Sequence, residues 1–126
     1  MTETKTVLVV EDNEINMKLV KTLLIIRNYV VLEAGDGEQG IELARIHKPD
    51  LILMDIQLPG MDGLTATQTI KGETELSCIP IVALTSHAML GDEERALAAG
   101  CSGYITKPID TRSFISKIDS FLRPSE

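Results

Sequence analysis

Residues 49–63 read PDLILMDIQLPGMDG. Leu51, Ile52, Leu53 and Met54 run without alternation into one acid, Asp55, and Pro59, Gly60 and Gly63 break the chain soon after. A strand with one wet face alternates polar and apolar residues, so a short unbroken run reads as a strand buried on both faces. A carboxylate at its last step lies at the carboxyl edge, where the sheet meets water. In open parallel sheets, ligands and chemistry collect at that edge. Asp55 is therefore the candidate nucleophile, and the other informative residues are sought around it.

The same punctuation recurs on both sides. Residues 7–10 form a first buried strand ending in Glu11-Asp12, and a helix follows over 14–27 with Asn13 as its N-cap. Its apolar face is read as Ile15, Leu19 and Leu23, with Val20 and Leu24 alongside. Residues 29–34 give a second strand. Asp36 and Gln39 then resemble a capping box that opens a helix through His47, burying Ile41, Leu43 and Ala44, with Pro49 as its stop.

Downstream, Asp62 caps a third helix carrying Leu64 and Ile70, and residues 79–84 form a fourth strand ending at Thr85. DEERALAAG is the best sequence of a fourth helix, with Gly91 early in it and Gly100 as its closing residue. Residues 103–106 form a short fifth strand ending at Lys107-Pro108. Asp110 or Thr111 caps a last helix, whose core face is Phe114, Ile115, Ile118, Phe121 and Leu122 and which stops at Pro124. Strands alternating with helices argue for a parallel sheet covered on both sides, a three-layer α/β sandwich when the crossovers are right-handed. The pattern leaves the strand order open.

At 126 residues the chain makes one domain. Its net charge of −7 argues against nucleic acid or anionic lipid as a partner. No apolar run reaches the length of a membrane span, and MTETKTVLVV lacks the core of a signal peptide, so a cytoplasmic protein is expected. Cys78 and Cys101 read as free thiols rather than a disulfide or metal pair.

Four strands end in polar residues able to do chemistry: Glu11-Asp12, Asp55, Thr85 and Lys107. Taken singly, the acids could suit a helix N-terminus, Thr85 could cap a helix and Lys107 could be a solvated loop residue. At equivalent ends of parallel strands, however, they converge. Three packed carboxylates repel by roughly 4 kcal/mol per pair at contact and an effective dielectric near 20. They either raise a pKa or recruit a cation. A hard divalent ion, Mg²⁺ in a cell, fits carboxylates, a backbone carbonyl, waters and a phosphoryl oxygen, with Lys107 and the Thr85 hydroxyl on the remaining oxygens. A carboxylate nucleophile that forms an aspartyl phosphate completes the scheme.

VLVVEDNEIN, LILMDIQLPGMDG, IVALTSHA and YITKPI resemble, in order, the four signature segments of the response-regulator receiver domain of two-component signalling. EDNEINMKL and GDEERALAAGC give the chain the look of single-domain receivers of the DivK type. The resemblance implies a flavodoxin-like (βα)5 fold with strand order 2-1-3-4-5, an order illustrated in general accounts partly with a receiver. It implies Asp55 as phosphoacceptor, and Glu11, Asp12 and Asp55 on Mg²⁺ with the Gln57 backbone carbonyl as a further ligand. Thr85 and Tyr104 become the switch residues and Lys107 the phosphate-binding lysine, with Lys107-Pro108 cis. A Tyr at 104 could also simply pack. Where commoner receivers carry Asp-Asp, this chain has Glu11-Asp12, which suggests that Glu11 reaches the metal through water. His87 either orients water or is an exposed loop residue.

The expected function is that of a phosphoacceptor charged by a sensor histidine kinase or a histidine phosphotransfer protein, not an enzyme beyond its own phosphorylation. The expected unit is one receiver domain over residues 1–126, without an output domain. It signals by protein contact through the fourth helix, fifth strand and fifth helix, as a monomer or a weak phosphorylation-dependent dimer. A receiver excised from a hybrid histidine kinase, or a phosphorelay intermediate, is the alternative; Met1 and the short tail after Leu122 favour a stand-alone protein. Haloacid-dehalogenase-type phosphatases need a second Asp two residues after the nucleophile, and here that residue is Gln57. Flavodoxins need a hydroxyl- and glycine-rich phosphate loop, where this chain has the repelling Glu11-Asp12-Asn13-Glu14.

Overall fold

In the computed structural model, which describes residues 4–85 and 91–122, strands and helices alternate along the chain. They are β1 (Thr6–Val10), α1 (Glu14–Ile26), β2 (Val30–Ala34), α2 (Gly37–His47) and β3 (Leu51–Asp55), then α3 (Gly63–Lys71), β4 (Ile81–Thr85), α4 (Asp92–Ala99), β5 (Gly103–Thr106) and α5 (Thr111–Leu122). The sheet is parallel throughout, in the order β2-β1-β3-β4-β5. The flavodoxin-like order implied by the resemblance is the one observed. Register brings the strand ends together: Val10 lies beside Met54, Asp55 beside Leu84, and Thr85 beside Thr106.

The sheet divides two cores. Leu8, Val10, Ile52, Met54, Ile81 and Ala83 point to α2, α3 and α4, where Ile41, Ala66, Ile70 and Ala96 meet them. Val7, Val9, Leu51, Leu53, Val82 and Leu84 point to α1 and α5, against Met17, Val20, Leu24, Phe114 and Ile118. Every residue of β3 and β4 is buried, which is why their sequences run apolar without alternation.

Helix starts follow the side chains that satisfy their free N–H groups. Asn13 accepts from Asn16 N–H at 2.9 Å, Asp36 from Gln39 N–H at 2.8 Å and Asp62 from Thr65 N–H at 2.8 Å. Each such cap stabilises its helix by about 1 kcal/mol. Gln39 Oε1 accepts from Gly35 N–H at 2.8 Å, one residue before the N–H used in a capping box. At α5, Phe114 N–H bonds to the Asp110 carbonyl at 2.9 Å, so Asp110 rather than Thr111 stands at the cap.

The structure corrects three readings. The inward row of α1 is Met17 with the expected Val20 and Leu24, while Ile15 is 80% and Leu19 38% exposed. The helix carries two apolar rows centred about 130° apart, and periodicity cannot choose the one that meets the sheet. Gly91 precedes α4 rather than lying in it, at φ +95°. β4 starts at Ile81, because Pro80 lacks an N–H and Ile79 N–H is spent on a turn to the Leu76 carbonyl. Among the described residues no helix is long and apolar enough to cross a membrane.

Candidate functional site

β1 and β3 are central neighbours, so the residues that end them meet. Asp55, the last residue of β3, is 3% exposed; Glu11, the first beyond β1, is also 3% exposed. The rim residue Asp12 is exposed. Oxygens of these three carboxylates lie within 4.8 Å of one another.

Lys107 enters from the end of β5, its N–H bonded to the Thr85 carbonyl at 2.7 Å across the β4–β5 edge. Its ammonium reaches Asp55 Oδ2 at 3.1 Å and Glu11 Oε1 at 2.8 Å. The peptide joining Lys107 to Pro108 is cis, as expected. Asp55 Oδ1 accepts from Gln57 N–H at 2.9 Å, so the loop after β3 fixes the orientation of this carboxylate. Glu11 Oε2 accepts from Asn13 N–H at 3.2 Å. Glu11 Oε1 is buried and paired with Lys107 by charge, without a well-formed hydrogen bond.

Three carboxylates face one ammonium here, and the cluster keeps surplus negative charge. Burial, with Asp55 adding to it, pushes the Glu11 carboxyl above its usual range against the pull of Lys107. Burial alone would lower the Lys107 ammonium, yet Glu11 and Asp55 together raise it above the usual lysine range. An all-oxygen donor set with surplus negative charge, an exposed rim ligand and a buried carboxylate oxygen lacking a donor suits a hard divalent cation. The site can hold one.

Thr85 is fully buried at the end of β4, one strand from Asp55. Tyr104 is half-buried on β5, paired with Ala83 and packed against the core beneath α2, α3 and α4. His87 lies outside the described residues. Cys101 is buried and Cys78 exposed, both as free thiols and neither in the site.

Sequence reading missed Gly63. A Cβ there would sit 2.2 Å from the Asp55 carbonyl oxygen and 2.6 Å from Ile56 Cα. Its hydrogen packs the loop against the end of β3, and its N–H donates to the Ile56 carbonyl at 3.2 Å. A second glycine in a Pro/Gly loop looks like one more turn residue, so nothing in the spacing marked it.

Residues 7–119 match the response regulator receiver domain. The chain is 50% identical over 119 residues to the polar-differentiation response regulator DivK of Brucella ovis, covering 94% of this chain and 97% of that one. A receiver domain of a Pseudomonas aeruginosa PAO1 sensor histidine kinase, solved with a magnesium ion coordinated in its active-site cleft, superposes with a TM-score of 0.88 at 33% identity over 95% of this chain and 98% of that one. The receiver domain of the Saccharomyces cerevisiae response regulator Ssk1, co-crystallised with the histidine phosphotransfer protein Ypd1, gives a TM-score of 0.86 at 28% identity over 96% and 90%. With a matching family model over most of its length and a half-identical relative, the chain belongs to the response-regulator receiver family.

Proposed function

We propose that Asp55 is the residue on which this response regulator takes up its phosphoryl group. The observation that carries the assignment is a buried carboxylate at the carboxyl end of the central strand β3, with Lys107 Nζ 3.1 Å from one oxygen and the Gln57 N–H 2.9 Å from the other. One oxygen is held by the loop while the other faces the Lys107 ammonium, an orientation suited to attack on phosphorus.

Glu11, Asp12 and Asp55 would hold Mg²⁺, with the Gln57 carbonyl as a further ligand and Glu11 reaching it through water. The bound ion would neutralise charge on the approaching phosphodonor and on the transferring group. Lys107 and the Thr85 hydroxyl hold the other phosphoryl oxygens. Thr85 and Tyr104 form the switch that carries the signal to the face of α4, β5 and α5. Residues 1–126 act as one receiver domain in the cytoplasm, catalysing nothing beyond its own phosphorylation. The donor is a histidine kinase or histidine phosphotransfer protein, and the target is a protein, not nucleic acid or membrane.

Acetyl phosphate with Mg²⁺ is expected to add one hydroxylamine-labile phosphoryl group by intact mass, and Asp55→Asn is expected to add none. Undiminished labelling of Asp55→Asn would place the acceptor elsewhere.

A further inference from the structure

Lys107 is shared unequally. Its ammonium is 2.8 Å from Glu11 Oε1 and 3.1 Å from Asp55 Oδ2. The Glu11 side chain is completely shielded from solvent, and its other oxygen is tethered to the Asn13 N–H at the cap of α1. A carboxylate tethered by one oxygen can still swing the other. Oε1 is that oxygen, and it is buried with a charge partner but no hydrogen bond. Asp12 and Asp55 each offer an oxygen within 4.8 Å of an oxygen of this carboxylate. It therefore has two possible cationic partners, the ammonium in place and an ion at the acidic cluster, and it cannot serve both at full strength.

We infer that Glu11 is a positioning residue which passes between Lys107 and the cation, so that loading the cation releases Lys107. The inference rests on the reading that Glu11, Asp12 and Asp55 hold the metal. In the metal-free protein Glu11 holds Lys107 against the mouth of the site, where the ammonium neutralises part of the cluster. When a divalent ion arrives, Oε1 turns to it, directly or through a water. Lys107 is then left with Asp55 alone and is free to follow a phosphoryl oxygen as it forms. The length of the side chain matters: an aspartate at position 11 would draw the carboxylate back by about 1.5 Å, the length of one carbon–carbon bond. The ion pair with Lys107 would open, and the exchange would be lost.

The test is a double-mutant cycle read by Mg²⁺ binding to unphosphorylated protein in a titration calorimeter. Lys107→Met removes a positive charge near the ion, and that simple repulsion contributes the same gain in any background. If Lys107 also competes for Glu11, the gain is larger in the parent than in Glu11→Asp. We expect Lys107→Met to tighten Mg²⁺ binding at least about fivefold more in the parent than in Glu11→Asp, a coupling within the range for residues in contact. Equal gains in the two backgrounds overturn the inference. Should Glu11→Asp fail to fold, the ¹⁵Nζ resonance of Lys107 in the parent decides: it should move and lose its protection from solvent exchange as Mg²⁺ saturates, and an unmoved signal overturns the exchange. Asp12→Ala separates the two levels. If Mg²⁺ affinity survives that change undiminished, the metal reading itself fails; if affinity is lost while the cycle shows no coupling, only the role of Glu11 fails.

Discussion

Gly63 puts Asp55 where it is by lacking an atom. With 2.2 Å between its ideal Cβ position and the Asp55 carbonyl oxygen, any side chain must push the loop or the end of β3 aside. The obstruction is backbone, which cannot rotate out of the way. Gly63→Ala is expected to destabilise the protein by about 1–3 kcal/mol, the usual scale of overpacking, and to slow labelling by acetyl phosphate through displacement of Asp55. Urea unfolding and the labelling rate check the two parts, and a parental value in both would mean that the approach is not needed. Asp55, the Glu11-Asp12 pair, Thr85 and Lys107 were legible because each stands where a strand ends. The contribution of Gly63 was not legible, since it depends on two segments meeting at the turn. The charge pairing of Lys107 with Glu11 was hidden for the same reason: 96 positions separate the two residues, and only the β1–β3–β4–β5 order closes the gap.

Helix α1 shows what an element's own pattern can and cannot say. Its limits were readable from Asn13 and the apolar run, and Val20 and Leu24 were read inward as they lie, yet Ile15 and Leu19 were placed on that face and Met17 was missed. Leu24 is fully buried between α1 and the sheet, so Leu24→Ala should cost about 2–5 kcal/mol. Ile15→Ser, at a position 80% exposed, should change stability by no more than about 0.5 kcal/mol. Thermal melts of the two variants suffice, and a large loss in Ile15→Ser with none in Leu24→Ala would put Ile15 rather than Leu24 on the inward face. Long-range ties are equally invisible to periodicity. Asp119 of α5 accepts from Arg27 Nη2 at 2.6 Å and from the buried Tyr29 hydroxyl at 2.5 Å, joining the α1–β2 turn to the far helix.

Across the whole molecule, the alternation of strands and helices settled the layers, and the resemblance supplied an order that the pattern could not. Parallel pairing is indifferent to sequence spacing once the crossover is long enough, so 2-1-3-4-5 and its rivals share one hydropathy profile. The expected output face follows from that order: β5 is an edge strand, with Tyr104 on it, beside the strand that ends in Thr85. Beryllofluoride, a stand-in for the phosphoryl group, should shift amide resonances at Tyr104 and along residues 92–99 in the parent. In Thr85→Ala the shifts should be confined to the loops around Asp55, because a ligand moves a two-state element only through its different affinity for the two states. Parental shifts confined to those loops would remove this face as the output surface.

The strand order also sets a timetable for synthesis. β1 is made first but stays unpaired on one side until β3 arrives, after a whole crossover and the strand at the other edge. Glu11, Asp12 and Asp55 have then all emerged, while Lys107 is still to be made. A nascent chain at that stage carries three acids drawn toward one point with no built-in counterion, and it must either keep them apart or borrow a cation from solution. The last strand therefore brings a built-in cation to the acids at the ends of the first and third, and the docking of β5 completes the site as well as the sheet.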